Sequence, residues 1–372
     1  MNFTRAARPP SRSALAGALA LTLVACATTA DDAEAARKKP HAAPRSDDAA
    51  DVVTYGRRED VMRFATELAE RRGWEPEWVQ AQLAQARFVP TVARLIMPPP
   101  AGTAKSWAAY RARFIEPQRV NAGVQFWNAN ADALARAEAQ YGVPASVIVG
   151  IIGVETFYGR ITGNFRVLDA LATLSFDFPT GRKDRTPFFR EELENFLFMC
   201  RREQRDCASF KGSYAGAMGL PQFMPSSINQ HAVDFDADGH IDLLGSPADV
   251  VGSVASFLAA KGWERGLPTH YDVAPPVDSR DRALLLGPDI VPSFTAAEFA
   301  ERGAVLSEAG RQHTGLLALV ELQNGDAAPS YIAGTQNFYA VTRYNWSSYY
   351  ALAVIELGAV VEGSRAKALS AQ

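Results

Sequence analysis

This sequence predicts a mainly α fold of the α+β type, and three observations carry that expectation. Apolar residues recur at helical spacing from Glu59 onward. Glycine and proline punctuate those stretches where helices stop and start. Between about residues 267 and 336 the texture changes to short apolar runs bounded by Pro, Gly, Asp and Asn, which reads as a small β-containing insertion. At 372 residues, 48% hydrophobic and 21% charged, the chain can bury a sizeable core in more than one lobe. A formal net charge of −3 gives no reason to expect nucleic acid as a partner.

Taken in order, the elements begin with a leader. Arg5, Arg8 and Arg12 precede an apolar stretch from Ala14 to Ala25, the charged and hydrophobic parts of a secretion signal. The stretch ends in Leu23-Val24-Ala25-Cys26, which resembles the bacterial lipobox, whose cysteine becomes the first mature residue and carries acyl chains. That resemblance implies a lipoprotein signal over 1–26, a membrane partner through the lipid on Cys26, and a periplasmic location. Ala27, rather than Asp, implies the outer membrane by the same analogy. An ordinary signal peptide containing a cysteine is the alternative. Residues 27–54 lack apolar periodicity and read as a flexible tether. No later apolar run is long enough to span a bilayer.

A helical lobe is expected over 55–117, where Val61, Phe64, Ala65 and Leu68 share one helix face and Pro98-Pro99-Pro100 interrupts. The next region, 118–266, opens with a long helical stretch over about 118–141. It ends at Tyr141-Gly142-Val143-Pro144, with Gly142 suited to a helix C-cap and Pro144 to the first turn of the next helix. The insertion, 267–336, includes Leu284-Leu285-Leu286 and Leu316-Leu317-Ala318-Leu319-Val320. Helical character returns in 337–372 with Tyr349-Tyr350-Ala351-Leu352-Ala353-Val354-Ile355. Export would place Cys200 and Cys207 in an oxidising compartment. On one continuous helix they would lie about two turns apart and could not bridge. A disulfide therefore needs the helix to end near Cys200; two unpaired thiols are the alternative.

One carboxylate stands out. Ile148, Ile151, Ile152 and Glu155 are spaced i, i+3, i+4, i+7, which sets the acid on an apolar helix face. An apolar setting raises a carboxyl pKa and keeps a proton available near neutral pH. By itself this is a weak signal, since a structural or rim glutamate looks the same. The surrounding Gly150-Ile-Ile-Gly-Val-Glu155-Thr-Phe-Tyr-Gly-Arg160 resembles the catalytic helix of the lytic murein transglycosylase B family. The blocks Leu168–Asp177, Gly212–Ser227 and Asn337–Asn345 resemble further blocks of that family, in order, over about 55–360.

The resemblance implies a lysozyme-like helical catalytic core at 118–266, with an added helical lobe and the small β-containing insertion. It implies peptidoglycan glycan strands as substrate and a lyase reaction without a cofactor. A conventional glycosidase uses two carboxylates flanking the bond. The family pattern implies one glutamate, here Glu155, acting as acid and then as base toward the C6 hydroxyl of the same N-acetylmuramic acid. A 1,6-anhydro end results, and Asp169 and Asp177 are left with structural roles. Residue by residue it implies substrate contacts for Tyr110, Ser213, Gln222, Asn337, Tyr339 and Tyr344. Phe257 stands where the family commonly has Tyr, so stacking surface remains without the hydroxyl. A hydrolytic muramidase and a non-catalytic peptidoglycan-binding lipoprotein are the competing readings.

Asp234-Phe-Asp236-Ala-Asp238-Gly239-His240 has the first half of an EF-hand loop, with oxygens at positions 1, 3 and 5 and then the glycine of the sharp turn. His240 would contribute its backbone carbonyl. Gly245 stands where the usual closing Glu is expected, and the resemblance offers Asp249 instead, within a loop over 234–249. Oxygen ligands point to a structural Ca2+. An Asx-rich turn without an ion is the alternative.

Overall fold

The computed structural model describes residues 53–98 and 105–370. The signal segment, Cys26 and the tether up to 52 lie outside the described residues, as do Pro99 and Pro100. Among the described residues no single helix is long and apolar enough to cross a membrane.

The N-terminal lobe is built from the helices Glu59–Arg72, Pro76–Ala84 and Pro90–Leu95. Val61, Ala65 and Leu68 are fully buried, as their spacing predicts, while Phe64 packs edge-on against Phe176 at 5.4 Å. Two aspartates fasten this lobe to the centre. Asp177 accepts from the Tyr55 hydroxyl at 2.6 Å and from Arg58 at 2.7 Å. Asp169 accepts the Arg87 N–H at 3.0 Å. Both carboxylates are therefore occupied as structural ties.

The stretch expected as one helix over 118–141 is two, Pro117–Ala129 and Ala131–Tyr141. Asn130 separates them, leaving helical geometry and donating from its amide to the Phe126 carbonyl at 2.8 Å. A short polar side chain that satisfies the backbone itself makes such a break cheap. Gly142 caps the second helix in the left-handed region at φ 74°, and Pro144 is the N-cap of the next, one residue before the first turn.

That next helix, Ala145–Thr156, is buried on every side except at Ser146 and Glu155, so it is a central helix and its isoleucine stripe is only part of its packing. The long C-terminal helix Ser348–Ser370 lies antiparallel against it. A Cβ added at Gly150 would lie 2.2 Å from the Val354 carbonyl oxygen, and one at Gly358 would lie 2.1 Å from that of Ser146. Only glycine allows so close a backbone approach, and this register is what brings residues 155 and 350 together.

Among the described residues there are also six short strands. β1 (Phe165–Arg166) pairs with β2 (Lys211–Gly212). β3 (His270–Ala274), β4 (Val305–Leu306), β5 (Ala318–Asn324) and β6 (Ala327–Gly334) form an antiparallel sheet in the order β4-β3-β6-β5. Strand alternation splits the approach to β5 between two cores. Ala318, Val320 and Leu322 join the main core, whereas Leu317 and Leu319 join a smaller one with Leu285, Phe299 and Leu306. Leu284-Leu285-Leu286, expected as an extended run, ends the helix Ser279–Leu286 instead. Asp278 caps that helix by accepting the Arg280 and Asp281 N–H groups, a local signal stronger than three leucines.

Candidate active site

Glu155 sits in the last turn of Ala145–Thr156, and the chain then bends sharply. Phe157, Tyr158 and Gly159 all take left-handed geometry, with φ of 51°, 56° and 89°. Two such non-glycine residues in succession cost about 1–3 kcal/mol each and need outside support. Thr156 supplies part of it, donating to the Leu220 carbonyl at 2.9 Å and accepting the Gly159 N–H at 3.1 Å. The helix end is thereby tied to the hairpin in which Met218 and Phe223 pair.

Burial in this apolar socket pushes the Glu155 carboxyl up to about 7, and a hydrogen bond from Tyr350 opposes that rise. The Tyr350 hydroxyl donates to Glu155 Oε1 at 2.5 Å from a ring that is 2% exposed. Tyr350 stacks on Tyr344 at 6.2 Å, and the Tyr344 hydroxyl donates to the Pro221 carbonyl at 2.6 Å. Tyr110 is close enough to feel the Glu155 charge: burial first, and that charge second, push its phenol up to about 12.

Glu155 opens into a cavity of about 470 Å³. Of the expected residues, Gln222, Phe257 and Tyr344 line it. Gln222 takes φ 50°, and its amide nitrogen donates to the carbonyls of Thr162 and Gly219 at 3.1 and 2.9 Å. Phe257 packs against Tyr344 at 4.8 Å and Phe223 at 5.5 Å, giving one wall of aromatic surface. Tyr339 stands at the rim, its ring 6.0 Å from that of Trp346, which does line the cavity.

Two expected contacts are placed otherwise. The Ser213 hydroxyl accepts the Ala215 and Ala217 N–H groups at 3.3 and 3.0 Å, so it shapes the loop that delivers Ala217 to the cavity wall. Asn337 is fully buried; its amide donates to the Glu264 and Leu267 carbonyls and its oxygen accepts the Glu264 N–H, all at 2.7 Å. With every polar atom committed, it holds the 264–267 turn and has none left for a sugar.

The sequence reading missed Tyr350, Asn345, Arg185, Lys261 and Arg343, all but the first lining the cavity. Asn345 Oδ1 and Arg185 Nη1 are buried without a hydrogen-bond partner, which marks them as groups awaiting one. Glu155 is the sole carboxylate among the described lining residues. Glu192, also buried, reaches the wall only through Ser226, whose N–H and hydroxyl donate to it at 2.9 and 2.6 Å. A second cavity of about 470 Å³ lies beyond Met218 and Gly219, but its acids are an exposed Asp242 and a Glu203 paired with Arg202 at 2.8 Å. Chemistry, and not size, selects the first.

At the EF-hand-like loop, one carboxylate oxygen each from Asp234, Asp236 and Asp249 lie within 4.8 Å of one another. Asp249 organises the loop, accepting the N–H groups of Phe235 at 2.6 Å and Asp242 at 2.8 Å. Asp238 falls outside the group, its Oδ1 accepting the His240 N–H at 2.8 Å, and the exposed His240 side chain takes no part. Gly239 turns at φ 93°. No ion pair among the described residues neutralises the three aspartates. Such an all-oxygen donor set fits a hard divalent cation.

A helical core carrying one raised carboxyl in an aromatic-walled groove defines the class of lysozyme-like, glycan-cleaving enzymes. Within it, the chain belongs to the family described as "Transglycosylase SLT domain", whose pattern matches residues 56–359. It is 42% identical over 314 residues to membrane-bound lytic murein transglycosylase B of Escherichia coli K12, spanning 82% of this chain and 83% of the relative. The crystal structure of soluble lytic transglycosylase SltB1 from Pseudomonas aeruginosa superposes with a TM-score of 0.74 at 40% identity, covering 82% of this chain and 99% of that one. Escherichia coli lytic transglycosylase Slt35 in complex with calcium gives a TM-score of 0.71 at 40% identity, covering 83% and 94%.

Proposed function

We propose that this chain is a peptidoglycan lytic transglycosylase cleaving the β-1,4 bond between N-acetylmuramic acid and N-acetylglucosamine, with Glu155 as acid and then base. The observation that carries the assignment of Glu155 is its position as the lone carboxylate among the described groove residues, raised to about 7 by burial and oriented by Tyr350. Protonated Glu155 gives its proton to the glycosidic oxygen as the C1–O bond breaks. The resulting carboxylate takes the proton of the C6 hydroxyl while O6 bonds to C1. The proton is back on Glu155, and no water is consumed. Capture by a hydroxyl of the same sugar has an entropic advantage over capture by water.

Gln222, Phe257 and Tyr344 form the proposed sugar-binding wall, with Asn345 and Arg185 offering unpaired polar atoms to the substrate. The separation from a hydrolytic muramidase is a product mass. Soluble fragments are expected one water lighter than reducing-end fragments; products of reducing-end mass would assign the hydrolytic reaction instead.

Asp234, Asp236 and Asp249 are proposed to hold a structural calcium, which would neutralise the loop and take no part in the steps above. Chelation is expected to lower the melting temperature by about 5 °C relative to calcium at 100 times its Kd. Turnover at low temperature should change far less. Unchanged melting, with no metal on elemental analysis, would discard the site. For location, the Leu23-Val24-Ala25-Cys26 signature supports lipid anchoring at Cys26 on the periplasmic face of the outer membrane.

A further inference from the structure

Cys200 and Cys207 take no part in the groove, yet the fold sets them side by side. Cys200 lies near the end of the helix Thr186–Arg202, and Cys207 opens the short turn Cys207–Ser209. The chain reverses between them, with Gln204 at φ 51° and the Arg205 N–H donating to the Cys200 carbonyl at 3.0 Å. Seven residues along an unbroken helix would separate the two by about 10 Å. The reversal removes that distance. Both residues are at most 1% exposed and their thiols are free; burial first, and the neighbouring Cys207 thiol second, push the Cys200 thiol up.

We propose that Cys200 and Cys207 close into a disulfide, and that this crosslink anchors the foot of the loop that carries Ala217, Gln222 and Phe223 to the groove. Shortly after Cys207 the chain enters β2, which pairs with β1. Gly212 then packs so tightly beneath the Ala217 carbonyl that an added Cβ would lie 2.2 Å from its oxygen, and the Ser213 N–H donates to that same oxygen at 2.8 Å. Fixing Cys207 to the long helix therefore fixes where this loop begins.

Cys200 borders a cavity of about 380 Å³ with Trp78, Gln82, Gln204 and Arg205, which gives a small reductant a route to the closed crosslink. A low-molecular-weight disulfide such as oxidised glutathione balances the reaction. One cysteine thiolate attacks it, expelling one small thiol and leaving a mixed disulfide; the other cysteine thiolate then displaces the second small thiol. The two cysteines lose two electrons and two protons, and the oxidant becomes two thiols. Burial pushes the Cys200 thiol up, so closure belongs to the folding chain rather than to the finished protein.

The sequence allows a direct test, because trypsin cleaves after Arg201, Arg202 and Arg205 and so separates the two cysteines onto different peptides. Full-length protein refolded with oxidised glutathione is alkylated in denaturant and digested without reductant. The expected result is a single linked species containing both peptides, which parts on reduction. Reduction of the folded protein should also lower the melting temperature by about 3–6 °C. Cys207→Ser without reductant should melt where the reduced wild type does. Both thiols alkylated in the unreduced protein would overturn the crosslink, and a melting temperature indifferent to reduction would overturn the anchoring role even if Cys207→Ser failed to fold.

Discussion

Glu155→Gln is expected to lower the release of anhydro-muropeptides by about 10³-fold or more while leaving the fold and strand binding in place. One positioned acid or base contributes roughly 10²–10⁴-fold, and here the same group serves both steps. No neighbour can substitute, because Asp169 and Asp177 are committed to the N-terminal lobe and Glu192 to Ser226. Glutamine keeps the shape and can still accept from Tyr350. The stability control has a definite sign. A carboxyl whose folded pKa lies near 7, above its unfolded value, favours the native state below the unfolded pKa and loses that contribution as pH rises through 7. The glutamine variant carries no such charge, so it should melt at or above the wild type on the alkaline side of 7. Near wild-type release by a folded variant would remove Glu155 from the chemistry. A pure binding lipoprotein predicts instead no release by either form, with strand binding and phenotype intact in the variant.

The sequence carried the groove unevenly, for physical reasons. Glu155 on its isoleucine face was a weak signal alone and became legible through the Gly150–Arg160 block around it; Gln222 and Tyr344 lie in further blocks of that kind, and Phe257 stood out as a departure from the family pattern. Asn337 sits in such a block too, and there a shared pattern reported backbone support rather than substrate contact. Tyr350 was read as one more apolar residue of a terminal helix. Its meaning depends on a partner 195 positions away, and helical spacing is blind to that distance. One signal was present: Gly150 and Gly358 are costly inside helices unless another backbone passes close by, as Ser348–Ser370 does past Ala145–Thr156. The break at Asn130 and the helix at Ser279–Leu286 were decided by single polar side chains, which periodicity averages away.

Tyr350→Phe should give the second-largest effect and separates positioning from packing. The ring is buried against Tyr344 and stays so in the variant; only the hydroxyl that holds Glu155 Oε1 is lost. Turnover is expected to fall roughly 10- to 100-fold, the scale set by a misplaced reacting group. The pH profile gives the sharper reading. Burial raises the Glu155 carboxyl, and the Tyr350 hydrogen bond, made to the charged form, lowers it. Removing the donor leaves burial unopposed, so the acid form persists to higher pH. The alkaline limb of kcat/KM, near 7 in the parent, should therefore move upward even as the maximum falls. A merely structural tyrosine would lower stability and leave the limb where it was. A limb that moved downward would mean that Tyr350 stabilises the protonated acid, reversing the electrostatics assigned here to the groove.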